Sequence, residues 1–110
     1  IEISFSPFPN TTISSFETYE ISKVEKQWVE INPKGIHKGL GVLDYLKYYH
    51  ITKEEIVVFG NGENDISMLS QTKNSVAVEN AQDLVKKQAN YLCQSNLDDG
   101  VAKFIRKKIL

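Results

Sequence analysis

The chain has 110 residues, of which 41% are hydrophobic and 25% charged, as in an ordinary globular domain. Its 13 basic and 14 acidic residues leave a net charge of −1, which argues against nucleic acid or an anionic membrane as a partner. No apolar run approaches the roughly 20 residues of a spanning helix, and the single Cys93 excludes an internal disulfide. With no visible signal peptide we expect a cytoplasmic protein, and Ile1 in place of an initial Met predicts part of a longer chain.

The first 33 residues predict a small, mostly antiparallel β structure. Residues 1–5 alternate apolar and polar side chains, which is typical of a half-buried strand. A loop rich in Ser, Thr and Asn covers residues 10–15, and residues 17–24 and 27–31 then predict two strands of a hairpin. The sequence Asn-Pro-Lys-Gly at 32–35 ends this pattern.

Beyond Gly35 the predicted elements alternate between helix and strand. Lys38–Tyr49 has the apolar spacing of a helix, and a capping box of Thr52 and Glu55 precedes an apolar strand over 56–59. The further predicted elements are a helix over 64–70, a strand Ser75–Val78, a helix from Asn80 or Ala81 with Leu84 and Val85 inward, a strand Tyr91–Cys93, and a helix over 98–109. This alternation implies a parallel sheet with helices on its faces.

Polar side chains follow the strand 56–59 closely, and they are the strongest candidates for a site. Asn61, Asn64 and Asp65 would lie at the carboxyl end of this strand, where parallel sheets bind ligands. Lys38 would begin a helix at the same edge, where an ammonium neutralises phosphate or a carboxylate. Asn64 could donate to a phosphate oxygen, and Asp65 could orient Lys38 or a metal-bound water. The alternative is a plain polar turn, with Asn61-Gly62 as a turn dipeptide and Asn64 or Asp65 as a helix N-cap.

Four blocks in register, at residues 30–39, 59–69, 76–81 and 98–102, resemble the Cof-type (subfamily IIB) phosphatases of the haloacid dehalogenase (HAD) superfamily, in their carboxyl-terminal portion. The resemblance implies an α/β fold with a HAD-like, Rossmann-like three-layer core. Residues 34–110 would be the carboxyl-terminal half of that core, with a short parallel sheet. Residues 1–33 would be the remnant of an α+β cap, mostly β.

The resemblance also implies a role for each site residue. Lys38 matches the family lysine that stabilises the charge of the nucleophilic aspartate and of the bound phosphate, and Asn64 matches a residue near the phosphoryl group. Asp65 matches the second acid of the family motif. By this resemblance Lys38 and Asp65 would be catalytic, and Lys38 and Asn64 would bind phosphate. Asn61 stands where the family usually has a Mg²⁺-ligating aspartate. A metal site of Asn61 and Asp65 would be weakened, because an amide brings no charge.

The implied function is Mg²⁺-dependent hydrolysis of a phosphate monoester, such as a sugar phosphate, by the complete enzyme. The family nucleophile belongs to an Asp-x-Asp pair that these 110 residues lack, so we expect the chain alone to be inactive. The alternative is a truncated, non-catalytic module that pairs with the missing amino-terminal half or with itself. The open edge of strand 56–59 would recruit that partner, unless residues 1–5 fill the gap.

The dipeptide Asn61-Gly62 is also chemically labile. Glycine leaves the backbone amide free to attack the asparagine side chain. We therefore hypothesise slow conversion of Asn61 to aspartate or isoaspartate.

Overall fold

The structure is a computed structural model that describes residues 2–3, 19–25 and 28–110, with side chains from Ile31 onward. The first of its two sheets is antiparallel, with strand order β1-β3-β2. Its strands are β1 (Glu2–Ile3), β2 (Tyr19–Glu25) and β3 (Trp28–Pro33), and Ile21 lies opposite Ile31. The predicted antiparallel arrangement is confirmed for these strands. The predicted loop over 10–15 lies outside the described residues.

The second sheet is parallel, as the sequence predicts, with strand order β4-β5-β6. Its strands are β4 (Val58–Gly60), β5 (Ser75–Val78) and β6 (Tyr91–Cys93). The predicted strand over 56–59 therefore begins two residues later than expected and continues to Gly60. Glu55 Oε2 accepts a hydrogen bond from Thr52 N–H at 2.8 Å, and this bond caps the start of the turn Lys53–Glu55, as the predicted capping box requires.

The helices that follow this alternation are α1 (Lys38–Tyr49), α2 (Ile66–Leu69), α3 (Asp83–Gln88) and α4 (Gly100–Lys108). Short 3₁₀ turns at Lys53–Glu55, Glu63–Asp65 and Asn96–Asp98 connect them to the strands. The predicted helix over 64–70 is thus a 3₁₀ turn followed by one α-helical turn. Helix α4 begins later than residue 98 because Asp99 has a positive φ of 55°.

Helices cover both faces of the parallel sheet. Successive side chains of a strand point to opposite faces, and in β4 they meet different helices. Phe59 contacts Phe104 of α4 edge to face, with ring centroids 5.7 Å apart. On the other face, Gly60 lies against Leu69 of α2. The result is a three-layer α/β arrangement around a buried core of Val58, Leu69, Val76, Ala77, Val78, Ala81, Val85 and Cys93.

One predicted core residue is wrong. Leu84 was expected to point inward beside Val85, but it is 57% exposed, whereas Val85 is 0% exposed. Helix α3 has only six residues and directs Val85 toward the sheet. The preceding residue is rotated by about 100° around the helix axis and therefore faces solvent. In α1, Leu46 is buried, whereas Leu43 is 37% and Tyr49 57% exposed.

The alternative in which residues 1–5 fill the β4 edge does not hold for the described part of that segment. Glu2 and Ile3 pair with Glu30 and Val29 of β3 in the antiparallel sheet. Strand β4 pairs on one side with β5, and within the described ranges no strand pairs with its other side. Among the same residues, no helix combines the length and the apolar character needed to cross a membrane.

Candidate functional site

The structure brings together Lys38 and Asp65, which are 27 residues apart in the chain. Lys38 is the first residue of α1, whose N-cap His37 accepts a hydrogen bond from Leu40 N–H through Nδ1 at 3.2 Å. Asp65 ends the 3₁₀ turn that follows β4. Lys38 Nζ donates to Asp65 Oδ1 at 2.7 Å, so the two side chains form an ion pair at the carboxyl end of the parallel sheet.

The second carboxylate oxygen of Asp65 binds the backbone of the loop. Asp65 Oδ2 accepts hydrogen bonds from Asn61 N–H at 2.8 Å and from Gly62 N–H at 3.1 Å. A carboxylate that closes a tight loop in this way fixes its shape, because each amide proton has a defined partner. Both oxygens of Asp65 therefore already accept hydrogen bonds from protein groups.

The pKa of Asp65 is lowered by these contacts. Burial alone would raise the pKa of this carboxyl, because its side chain is only 6% exposed. The hydrogen bond from Lys38, the two backbone hydrogen bonds from Asn61 and Gly62, and the positive charge of Lys38 outweigh burial. Asp65 is thus a stable anion at neutral pH, and the Lys38 ammonium has a fixed counter-ion.

Two glycines allow this close geometry. A Cβ on Gly39 would overlap the backbone carbonyl of Ser67, so only glycine lets the start of α1 approach α2 this closely. The Gly39 N–H donates to Ser67 Oγ at 3.1 Å at the same point. A Cβ on Gly60 would lie 2.8 Å from Asp65 Cβ, inside ordinary contact distance. The sequence analysis did not identify Ser67, although its position one turn after the polar loop is a usable signal.

The other predicted site residues lie on the same loop. The Asn61 side chain is exposed, and its backbone carbonyl accepts a hydrogen bond from Gln82 N–H at 3.2 Å. Asn64 is partly buried within the 3₁₀ turn Glu63–Asp65. Strand β2 of the antiparallel sheet lies beside this turn. The loop is therefore bordered by α1, by the start of α3 and by the antiparallel sheet.

A second pair of amides links the loops after β5 and β6. Asn80 Nδ2 donates to Asn96 Oδ1 at 2.7 Å, and Asn96 N–H donates to Asn80 Oδ1 at 3.4 Å. Asn80 lies two residues beyond the end of β5. Asn96 was not identified from the sequence, although it too follows a strand of the parallel sheet. The pair extends the polar rim along the carboxyl edge of the sheet.

The described side chains do not form a Mg²⁺ site by themselves. Between Ile31 and Leu110 no group of three or more His, Cys, Asp or Glu residues is placed to hold a metal ion. Asp65 has both oxygens engaged, and Asn61 offers one neutral amide oxygen, whereas Mg²⁺ prefers several hard oxygen ligands with negative charge. Any magnesium bound here would need ligands from other parts of the protein.

Both histidines, the cysteine and the basic run near the end of the chain have places in the fold away from this ion pair or at helix ends. His37 caps α1, and His50 ends it with a positive φ of 54°. Cys93 is buried in β6, and burial raises the pKa of its thiol. The basic run at 106–108 lies in the last turn of α4, where positive charge complements the helix dipole.

The fold and the loop geometry together define an α/β protein whose polar edge suits an anionic ligand held by a lysine. Comparison with known proteins identifies the family. The model of the haloacid dehalogenase-like hydrolases (Hydrolase_3) matches residues 5–105, and the chain belongs to this family.

Individual relatives agree with this assignment. The chain is 36% identical over 91 residues to the 5-amino-6-(5-phospho-D-ribitylamino)uracil phosphatase YcsE of Bacillus subtilis (strain 168), covering 83% of this chain and 36% of the relative. SMU.1108c of Streptococcus mutans UA159 superposes with a TM-score of 0.78 at 36% identity, over 82% of this chain and 34% of that one. The HAD subclass IIB sugar phosphatase BT4131 has a TM-score of 0.74 at 32% identity, over 82% and 35%.

The chain thus spans about a third of the length of these relatives. The resemblance to the Cof-type, subclass IIB phosphatases is confirmed, and so is the HAD-like α/β fold.

Proposed function

We propose that this chain supplies the phosphate-binding, lysine-bearing half of a HAD phosphatase active site. The observation that carries the proposal is the ion pair between Lys38 and Asp65 at the carboxyl edge of the parallel sheet. The Lys38 side chain is 43% exposed, so its ammonium can reach a bound anion while Asp65 holds its position. Asn64, on the same turn, would donate its side-chain amide to a phosphate oxygen.

In this proposal each residue has a distinct task. Lys38 binds phosphate and stabilises negative charge that builds up during phosphoryl transfer. Asp65 acts as a positioning residue, because both of its oxygens already bind protein donors. Asn61 replaces a charged metal ligand by a neutral amide, which lowers the charge of the site by one unit. Mg²⁺ is the expected cofactor of the complete enzyme, and its remaining ligands would come from beyond the described residues.

The domain division follows the change of sheet type. Strand β3 ends at Pro33, and Gly35 has a positive φ of 79° before the first helix of the α/β part. This break supports residues 1–33 as the end of the cap and residues 34–110 as the carboxyl-terminal half of the core. A cytoplasmic location stays a prediction.

We propose a small phosphorylated metabolite as the substrate of the complete enzyme. Two relatives support this class, since one is a phosphatase of a phosphoribitylamino-uracil and another is a sugar phosphatase. Both substrates are phosphate monoesters of small polar molecules. We assign the choice between such substrates to the cap. In the proposed division, this chain carries only the end of the cap.

A phosphatase assay on the purified chain tests the division of labour. With Mg²⁺ and para-nitrophenyl phosphate we expect no hydrolysis, because the 110 residues contain no Asp-x-Asp pair. Co-expression with the remaining amino-terminal part of the Bacillus subtilis relative should restore hydrolysis, and Lys38→Met should abolish the restored activity. The matched control Lys53→Met alters an exposed lysine whose Nζ donates a hydrogen bond to Gln71 Oε1 at 3.5 Å. Hydrolysis by the chain alone would contradict the proposal, as would an inactive but stably associated pair of fragments.

The open edge of β4 supports the alternative of a non-catalytic module that pairs with a partner chain or with itself. Within the described residues only β5 pairs with β4, so its other side presents unpaired backbone groups. Size-exclusion chromatography separates the possibilities. A concentration-dependent dimer favours pairing of two copies, whereas a monomer that binds the amino-terminal fragment favours the divided active site.

A further inference from the structure

The peptide bond between Asn61 and Gly62 is held on both sides. Its carbonyl oxygen accepts a hydrogen bond from Gln82 N–H at 3.2 Å, and its N–H donates to Asp65 Oδ2 at 3.1 Å. The preceding amide, Asn61 N–H, donates to the same carboxylate oxygen at 2.8 Å. Gly62 is buried, although the side chain of Asn61 is exposed. The peptide plane is therefore fixed at a dipeptide that is chemically labile in a flexible chain.

Deamidation of this dipeptide has defined steps. The Gly62 nitrogen loses its proton and forms a bond to Cγ of Asn61. The bond between Cγ and the side-chain nitrogen then breaks, and that nitrogen takes up a proton and leaves as ammonia, which gives a succinimide. Water then opens the ring by breaking one of its two C–N bonds and produces aspartate or isoaspartate. The first step requires the Gly62 N–H to be free and the peptide plane to rotate toward the side chain.

The contacts of Asp65 oppose both requirements. The carboxylate accepts a hydrogen bond from the Gly62 N–H and so stabilises the protonated nitrogen, and its negative charge disfavours an anionic nitrogen beside it, as like charges do. The hydrogen bond from Gln82 to the Asn61 carbonyl resists rotation of the same peptide. Attack then needs an opened loop, in which these hydrogen bonds are absent.

We propose that Asn61 is a modification site whose deamidation is suppressed by the Asp65 carboxylate in the folded protein. The same carboxylate that holds Lys38 also preserves the amide at position 61. Conversion to aspartate would change the charge of the loop by one unit. Conversion to isoaspartate would add a backbone methylene and distort the loop between Gly60 and Asp65. The inference depends on these hydrogen bonds and not on the proposed phosphatase function.

Peptide mass mapping during a timed incubation tests the proposal. The fractions of Asn, Asp and isoAsp at position 61 are followed for the wild-type chain in native buffer and in urea. Deamidation in native buffer should be at least about tenfold slower than in urea, since one hydrogen bond to a charged group changes an opening equilibrium by roughly 10- to 100-fold. Asp65→Ala should raise the native rate by a similar factor. Asp65→Asn keeps a neutral acceptor and should lie between the two.

Two control variants leave the Asn61–Gly62 contacts in place. Lys53→Met changes an exposed lysine outside the loop, and Ser67→Ala removes the hydroxyl oxygen that accepts a neighbouring hydrogen bond from Gly39 N–H. Both should deamidate at the wild-type rate. Asn74-Ser75, in the same digest, reports unfolding of the whole chain, because Asp65 does not contact it.

The outcomes separate local protection from other causes. Faster deamidation at Asn61 with an unchanged rate at Asn74 supports the proposal. An unchanged rate in Asp65→Ala overturns it, and a slower rate would show that the carboxylate acts as a base instead. If deamidation accelerates at both Asn61 and Asn74, the variant has unfolded. The decisive quantity is then the ratio of the wild-type deamidation rate in urea to that in native buffer. A ratio near one would overturn the proposal.

Discussion

Replacing Lys38 by methionine tests whether the ion pair with Asp65 stabilises the fold. The variant keeps most of the aliphatic stem but removes the Nζ that donates to Asp65 Oδ1 at 2.7 Å. A hydrogen bond to a charged group contributes about 1.5–3 kcal/mol. Because the Lys38 side chain is 43% exposed, solvent screening reduces the expected loss in the free energy of unfolding to about 1–2 kcal/mol.

The pH dependence of this loss gives a signature that simple packing would not produce. The pKa of Asp65 is lowered in the folded protein, so its stabilising contribution is present above the unfolded pKa of about 3.9 and is lost as the pH falls through the folded pKa. Lys38→Met should raise the pKa of Asp65. The difference in stability between wild type and variant should therefore be largest near neutral pH and shrink once Asp65 is protonated.

Urea denaturation across this pH range measures the stability difference, and an NMR titration of the Asp65 carboxyl measures its pKa. The control Lys53→Met should change the unfolding free energy by less than about 0.5 kcal/mol, as surface substitutions usually do. If Lys38→Met matches this control and the Asp65 titration does not move, the ion pair does not stabilise the chain and the reasoning fails.

Two further predictions use pairs of neighbouring residues as internal controls, and thermal or urea unfolding measures both. Gly39→Ala should destabilise the fold by about 1–3 kcal/mol, because the new methyl overlaps the Ser67 backbone. Gly41 has open space around it, so Gly41→Ala should stabilise α1 by about 0.5–1 kcal/mol. Equal effects of these two substitutions would refute close packing of α1 on α2. Val85→Ala should lower the free energy of unfolding by about 1–3 kcal/mol, since it removes buried methyl groups. Leu84→Ala should change it by less than about 0.5 kcal/mol. The reverse order would show that the other face of α3 packs on the sheet.

Much of the fold follows from patterns that the sequence displays directly. Alternation of strands and helices after Gly35 predicts the parallel sheet, and the predicted helices and strands after Gly35 appear in the expected order. Leu84 shows where the pattern is insufficient. Adjacent apolar residues in a six-residue helix cannot both face the sheet, and which one does depends on how the helix docks.

The sequence predicts that the candidate residues share one edge of the sheet, but it does not define most of their contacts. The spacing of Lys38, Asn61, Asn64 and Asp65 places them at one edge of a parallel sheet. That Asp65 binds Lys38 with one oxygen and two backbone amides with the other depends on how tightly the loop after Gly60 turns. Ser67 and Asn96 were missed because their importance comes from partners far away in sequence, Gly39 and Asn80.

The alternation of apolar and polar side chains in the first strand does not by itself predict which strand it pairs with. An isolated strand-like segment can join either of two sheets, and the alternation fixes which side chains share a face but not the partner strand. Residues Glu2 and Ile3 pair with β3 and not with β4. Among the described residues, the outer side of β4 therefore has no partner strand and could pair with another segment.

Titration of the chain with inorganic phosphate, followed by NMR, tests most directly whether Lys38 and its loop form a phosphate-binding half-site. We predict shifts at the Lys38 ammonium and at the backbone amides of residues 60–65, and loss of these shifts in Lys38→Met. Shifts confined to the basic last turn of α4, or unchanged shifts in Lys38→Met, would contradict the account.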